Sequence, residues 1–414
     1  MNLTSSLSLK NYKNLFVFGG LFLFISGVIF YSTFATKVTA SIVPNIQFNP
    51  KPKLSKEDIV KTLATDFTNY RFPGEIELPN QLGKGIVEYT MDPKLQESMI
   101  QLFKSYNPDY GAFVAMDAET GRVLSLVSYS AKPSVKENLA LRATFPSASV
   151  FKVVTAAAAI ENRKLSSDSV IPFHGANHTL YRGNLFNTRE TRWTRYTTLK
   201  TAFAKSINTV FGKIGVFTVG PESLRTYADR FGFNRTIPTD LPVQPGKAPI
   251  SDDPWNLAEA ASGYTRENTM SPLQGALIAA AVVNNGVMME PYLIESVFTP
   301  DGNELYDAKP TVATVSIDPK TAEEVHKLMN ETVNAGTSKK SFRGFFKGGL
   351  ASLDVGGKTG TLTGASPPGK YDWFVGFAEG YSKKIAFSAL LIHEKFWKVK
   401  ASYISRKALE NYFK

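Results

Sequence analysis

A serine and a lysine three residues apart, Ser149-Val150-Phe151-Lys152, form the only Ser-x-x-Lys of this 414-residue chain. On a helix, residues at that spacing share a face with Cβ atoms ~5–6 Å apart, so Lys152 should look at Ser149 one turn back. The surroundings are apolar: Phe145-Pro146-Ser147-Ala148 precede the pair, and Val153-Val154-Thr155, four alanines and Ile160 follow. A lysine buried among such neighbours is costly. Desolvation favours its neutral form, which can take a hydroxyl proton and make Ser149 a nucleophile. Two more polar groupings follow: Ser206-Ile207-Asn208 and Lys358-Thr359-Gly360-Thr361. Lys-Thr-Gly occurs once; Ser-x-Asn also occurs as Ser105-Tyr106-Asn107, but that copy precedes Ser149. Each grouping has an ordinary reading by itself: a chance pair, polar residues on a helix surface or cap, and the end of a strand.

These residues need elements to hold them. Pro146 and the alanine-rich run read as a helix whose first turn lies near Ser149. Gly85–Met91 reads as a strand, and Asp92-Pro93 start a helix to about Ser105. Gly111–Met116 and Arg122–Ser128 read as strands joined by Asp117-Ala118-Glu119-Thr120-Gly121. Residues 165–275 read as largely helical, with Trp193–Gly215 the clearest segment. Ser271–Asn285 and Asp318–Asn334 are further helices. Strands return at Val355–Thr363, Trp373–Glu379 and Lys384–Ile392, and a helix over about Lys400–Phe413 closes the chain. Helices inserted between strands of an antiparallel sheet give an α+β architecture: about five strands flanked by helices, with an inserted all-helical subdomain.

Composition narrows the function classes. The net charge is +11, but the basic residues are scattered rather than interleaved with aromatics, so a nucleic-acid partner is not expected. The absence of cysteine excludes disulfides, thiol catalysis and cysteine-ligated metals. His174 and His178 are separated by Gly175 and lack a companion acid, so neither metal nor cofactor is expected. Gly357-Lys358-Thr359 is not a phosphate loop, because Ser352 stands where glycine is required. Asn14 to Thr36 carries no charge and is mostly apolar. About 20 such residues span a ~30 Å hydrocarbon layer. Lys10 and Lys13 before it favour a cytoplasmic N-terminus. The expected organisation is a cytoplasmic tail (1–14), a transmembrane anchor (15–36), a proline-containing stalk (37–84) with a short helix from Ser55 to Tyr70, and a catalytic domain (85–414). A cleavable signal peptide ending at Val38-Thr39-Ala40 is the alternative reading of the apolar segment.

Ser-x-x-Lys, Ser-x-Asn and Lys-Thr-Gly in this order form the signature of penicillin-binding proteins and serine β-lactamases, and the chain resembles a penicillin-binding protein transpeptidase domain. The resemblance extends to GAFVAMDAETGRVLSLVS, TLKTAFAKSINTVFGKIG, MSPLQGALIAAAVVNNGVMMEPYLIE and GKTGTLTG…DWFVGFAEG, together covering about residues 85–395. It implies that Ser149 attacks a D-Ala–D-Ala amide, with Lys152 as its base. It further implies that Ser206 relays a proton to the leaving amine under the charge of Lys358, and that Asn208 holds the substrate amide. Thr359, Gly360 and Thr361 would bind substrate, the threonine hydroxyls taking its carboxylate, while the N–H groups of Ser149 and Thr361 form an oxyanion hole. The implied partners are peptidoglycan stem peptides, β-lactams as covalent inhibitors, the cytoplasmic membrane and cell-wall synthesis proteins. The implied location is the bacterial cytoplasmic membrane, with the catalytic domain outside. Two features depart from the family. Ser147-Ala148 stands where Pro-Gly or Pro-Ala is common before the nucleophile. The segment before the catalytic core is short for a glycosyltransferase domain or a large pedestal. D,D-carboxypeptidase, β-lactamase and β-lactam sensor are the alternatives. Against the lactamase, Glu259 lacks the E-x-x-L-N context of a deacylating acid.

Overall fold

Five antiparallel strands form the central sheet, in the order Asp354–Ala365, Pro368–Gly380, Lys383–His393, Tyr110–Asp117 and Val123–Ser130. The computed structural model describes residues 53–79, 82–132, 134–163 and 165–414. The expected tail, the anchor and the stalk as far as residue 52 lie outside them. No described helix is long and apolar enough to cross a membrane.

The strands are apolar on both faces because both are covered. Side chains alternate across the strand Pro368–Gly380: Trp373, Val375 and Phe377 enter one core, whereas Phe374 and Ala378 enter the other. The first core includes the helices Lys152–Arg163, Pro272–Val283 and Pro319–Asn334. The second lies under the helices Pro93–Tyr106 and Ala401–Tyr412. Local chemistry sets the helix starts. Asp92, Ser271 and Asp318 each accept a backbone N–H within the first turn, and proline follows each of them. Every residue of Pro272–Val283 is buried, which explains its apolar, alanine-rich sequence without a polar face.

Two expectations need correction. The first concerns the stalk, of which residues 53–79 and 82–84 pack onto the body. Ser55 and Asp58 form a capping box for the helix Lys56–Thr68, whose Ile59, Leu63 and Phe67 are buried in the first core. The Leu54 N–H donates to the Leu305 carbonyl at 2.9 Å. Glu75–Glu77 and Lys84–Tyr89 extend a second antiparallel sheet with Ile294–Phe298 and Glu304–Asp307. Prolines in this segment mark turns of a folded unit, which runs over 53–414. The second correction concerns the insertion, which is not all helical. Val170–Phe173 pairs with Arg195–Thr198, and the expected Trp193–Gly215 helix is split into Leu199–Ala204 and Asn208–Lys213. The break falls at Ser206, whose φ of 55° cannot continue a right-handed helix.

Candidate active site

Ser149, the expected nucleophile, sits in a tight 3₁₀ turn, Ala148–Phe151, that leads into the helix Lys152–Arg163. Residues three apart nearly eclipse in a 3₁₀ turn, which brings Lys152 Nζ to 2.9 Å from Ser149 Oγ. Three tertiary contacts fix this turn. The Ser147 N–H donates to the Asn268 carbonyl at 2.7 Å. Trp373 Nε1 donates from the sheet to the Pro146 carbonyl at 2.9 Å. Thr155 Oγ1 donates to the Ala261 carbonyl at 2.8 Å, tying the nucleophile's helix to Pro254–Ser262. Ala148 takes a φ of 49°, a conformation that costs a non-glycine residue about 1–2 kcal/mol. This gives a physical reason for a small residue there.

Lys152 is fully buried. Besides Ser149, its Nζ meets Asn208 Oδ1 at 2.8 Å and the Ser262 carbonyl at 2.5 Å. Asn208 Nδ2 donates to the His178 carbonyl at 2.9 Å, which orients Oδ1 towards the lysine. Burial holds the Lys152 ammonium well below its ordinary pKa, and the positive charge of Lys358 adds to the shift. A neutral amine has two N–H donors and one lone pair. Asn208 Oδ1 and the Ser262 carbonyl can only accept, so they take both donors. The lone pair is then left facing the Ser149 hydroxyl, as a general base requires.

The break at Ser206 places its hydroxyl 3.0 Å from Lys358 Nζ, which also donates to the Thr359 carbonyl at 2.8 Å. Lys358 is buried as well, and its pKa is pushed down to about 7 by that burial. Two aromatic rings back the lysines. Phe211 lies 5.6 Å from Lys152 Nζ and Phe203 5.5 Å from Lys358 Nζ, measured to the centroids. They exclude water from one side while offering a favourable ring face to whichever amine is charged.

Asp354–Ala365 is an edge strand, so half of its backbone groups lack a ladder partner. The carbonyl of Thr363 accepts from Arg266 Nε at 2.8 Å and that of Thr359 from Lys358. Both therefore point away from the neighbouring strand. The pairing is unshifted from Asp354 to Ala365, so Thr361, of the same parity, also turns its N–H and carbonyl outward. Gly360 is buried against the nucleophile turn; a Cβ there would lie 3.2 Å from both the Ser147 carbonyl oxygen and Val150 Cγ2. Thr359 Oγ1 and Thr337 Oγ1 are 2.6 Å apart. Ser149, Ser206, Asn208, Thr359 and Thr361 line a single cleft of ≈ 720 Å³. All eight expected site residues therefore lie in or against one cleft.

Several participants had little or no sequence signal. The carbonyls of Ser262 and His178 are backbone groups brought in by distant segments. Gly263 was findable as a glycine ending a helical pattern. Its φ is 65°, and a Cβ there would sit 1.9 Å from the Ala148 carbonyl oxygen. Glu259 stands on the helix Pro254–Ser262 and is not among the cleft-lining residues described. Among the described residues, no group of three or more His, Asp or Glu side chains could hold a metal ion.

Comparison with known proteins agrees with this geometry. The family model of the penicillin binding protein transpeptidase domain matches residues 111–413. The peptidoglycan D,D-transpeptidase PbpA of Mycobacterium tuberculosis is 28% identical over 344 residues, covering 74% of this chain and 67% of that protein. The crystal structure of PBPA from the same organism superposes with a TM-score of 0.65 at 26% identity, over 79% of this chain and 82% of that one. Its penicillin G acyl-enzyme complex gives 0.64 at 25% identity, over 84% and 83%. Motif order, a buried lysine facing a cleft-lining serine, and a family match over most of the folded unit all lead to one assignment: the chain belongs to the penicillin-binding protein transpeptidase family.

Proposed function

We propose that the protein is a peptidoglycan D,D-transpeptidase working through a Ser149 acyl-enzyme. The observation that carries this reading is the hydrogen-bond arrangement around Lys152, which leaves a neutral amine only one role, that of base towards Ser149. Ser149 Oγ attacks the carbonyl carbon of the penultimate D-Ala and its proton passes to Lys152 Nζ. The developing oxyanion is met by the N–H groups of Ser149 and Thr361. Ser149 is the second residue of its turn, where N–H groups lack intrahelical partners. One such donor is worth a factor of about 100–1,000 in rate. Collapse breaks the C–N bond, and the leaving amine takes its proton through Ser206, hydrogen-bonded to Lys358. The hydroxyls of Thr359 and Thr361 receive the substrate's terminal carboxylate beside Lys358, and the second N–H of Asn208 Nδ2 is free to hold the substrate amide. An acceptor amine then attacks the ester carbonyl, its surplus proton passing to the Ser206–Lys358 pair, and the ester C–O bond breaks as Lys152 returns its proton to Ser149 Oγ.

The M. tuberculosis relative named as a D,D-transpeptidase and its penicillin G acyl-enzyme support this chemistry. Glu259 stands on the helix Pro254–Ser262 and is not among the described residues that line the cleft, which favours transfer over drug hydrolysis. The uncharged apolar stretch 15–36, with Lys10 and Lys13 before it, supports an anchor that holds the catalytic unit outside the cytoplasmic membrane. The test is to supply a stem pentapeptide together with an acceptor amine. Release of D-Ala matched by cross-linked product is expected. Release of D-Ala with no transfer at saturating acceptor would overturn transpeptidation in favour of carboxypeptidase action.

A further inference from the structure

The cleft continues past the edge strand, away from Ser149, and there its character changes. Thr361 pairs with Asp372 and Thr363 with Lys370, so these four side chains share one face of the two strands. Lys370 comes from the strand Pro368–Gly380 and Lys400 immediately precedes the helix Ala401–Tyr412. Lys340 comes from the loop after Pro319–Asn334, and all three line the same cleft as Ser149. The loop is latched to the helix, with Ser341 Oγ and Ser402 Oγ 2.6 Å apart. Lys370 and Lys400 converge on one indole: their Nζ atoms lie 4.9 Å and 3.1 Å from the Trp397 ring centroid.

Like charges gathered in this way repel unless something offsets them. Ion pairs take up many surface lysines of this protein, among them Lys56, Lys84, Lys132 and Lys327. None of Lys340, Lys370 and Lys400 has a carboxylate within ion-pair distance among the described residues. Asp372 is the only acidic residue lining the cleft among those described. It is buried, and its Oδ2 already accepts the Ala401 N–H at 2.7 Å. It offsets one of the three charges and leaves this arm of the cleft positive.

We propose that Lys340, Lys370 and Lys400 form a second carboxylate subsite, which selects stem peptides bearing a free side carboxylate in addition to the C-terminal one. The inference rests on the D,D-transpeptidase reading, in which Thr359 and Thr361 already hold the terminal carboxylate, so these lysines are left for another anion on the same substrate. Burial and the like charge of Lys370 depress the Lys400 pKa, with Asp372 opposing them, and an arriving carboxylate relieves that repulsion. A lysine-lined site would discriminate against the uncharged carboxamide of the same shape, which offers no charge to pair.

The test uses the full chain carrying Ser149→Ala, so that peptide binds without turnover. Two pentapeptides are titrated that differ only in whether the side carboxylate is free or a carboxamide. The free acid should bind at least about tenfold more tightly. That gap should close as salt is raised, and close also in a Lys370→Gln/Lys400→Gln variant. Equal affinity for the two peptides, or a gap that survives both salt and the double substitution, overturns the subsite. The salt titration gives this reading even if the double variant folds poorly. Failure of the unsubstituted protein to form a penicillin adduct would instead count against the transpeptidase reading, and the binding comparison does not depend on it.

Discussion

In the proposed mechanism Lys152 is the base because its other two Nζ partners, Asn208 Oδ1 and the Ser262 carbonyl, can only accept. A lysine that is merely buried would be neutral but free to turn its lone pair anywhere; the Asn208 and Ser262 oxygens remove that freedom. Lys152→Met keeps the volume and removes the base, so penicillin acylation should slow by about 100–10,000-fold, measured by stopped-flow or quenched mass analysis. Lys358 acts on Lys152 through charge, lowering its pKa. Lys358→Met should therefore shift the acidic limb of the acylation pH profile to higher pH as well as lower the rate; a loss of rate with the limb unmoved would contradict the coupling. The residue types were legible in the sequence, because Ser149, Lys152, Ser206, Asn208 and Lys358 each belong to a short ordered motif. Their partners were not. Neither the Ser262 nor the His178 carbonyl has a side-chain identity that a sequence can display.

Elements made chiefly of local signals were also legible. The strands of the central sheet follow from short apolar runs bounded by turn residues, and the helices begun by Asp92, Ser271 and Asp318 from caps and proline. The conformations that aim the site were harder to read, since they run against local preference. Ala148 and Ser206 both adopt positive φ without being glycine, a cost of about 1–3 kcal/mol that the surrounding contacts must hold. Ala148→Gly should raise the thermal midpoint modestly, by relief of about 1 kcal/mol less the added freedom of the unfolded chain. Gly263→Ala tests the same junction from the other side. A methyl group directed at the Ala148 carbonyl oxygen must displace the nucleophile turn, so penicillin acylation should fall sharply while the far-ultraviolet circular dichroism of the sheet and helices is retained.

At the scale of the whole molecule, the active site is a cost carried by two apolar cores. Lys358 sheds its proton at about 7 when folded, against ~10.4 in an unfolded chain. Between those values the unfolded state binds more protons, so this residue's penalty on stability is full below about pH 7 and fades as pH rises. Lys358→Met should therefore stabilise the protein at pH 7 by about 1–4 kcal/mol, with the gain shrinking towards pH 10, while impairing catalysis. The extent of the folded unit is not legible in the sequence for a related reason. Residues 53–84 look like a linker by their prolines, and only tertiary contact shows that Ile59, Leu63 and Phe67 complete the first core. In the proposed function the whole fold serves one acylation at Ser149. Incubation of the intact protein with labelled penicillin, followed by intact-mass analysis, tests it most directly. A stable one-to-one adduct, absent in Ser149→Ala, is expected. Absence of any adduct, or an adduct that persists in Ser149→Ala, would contradict it.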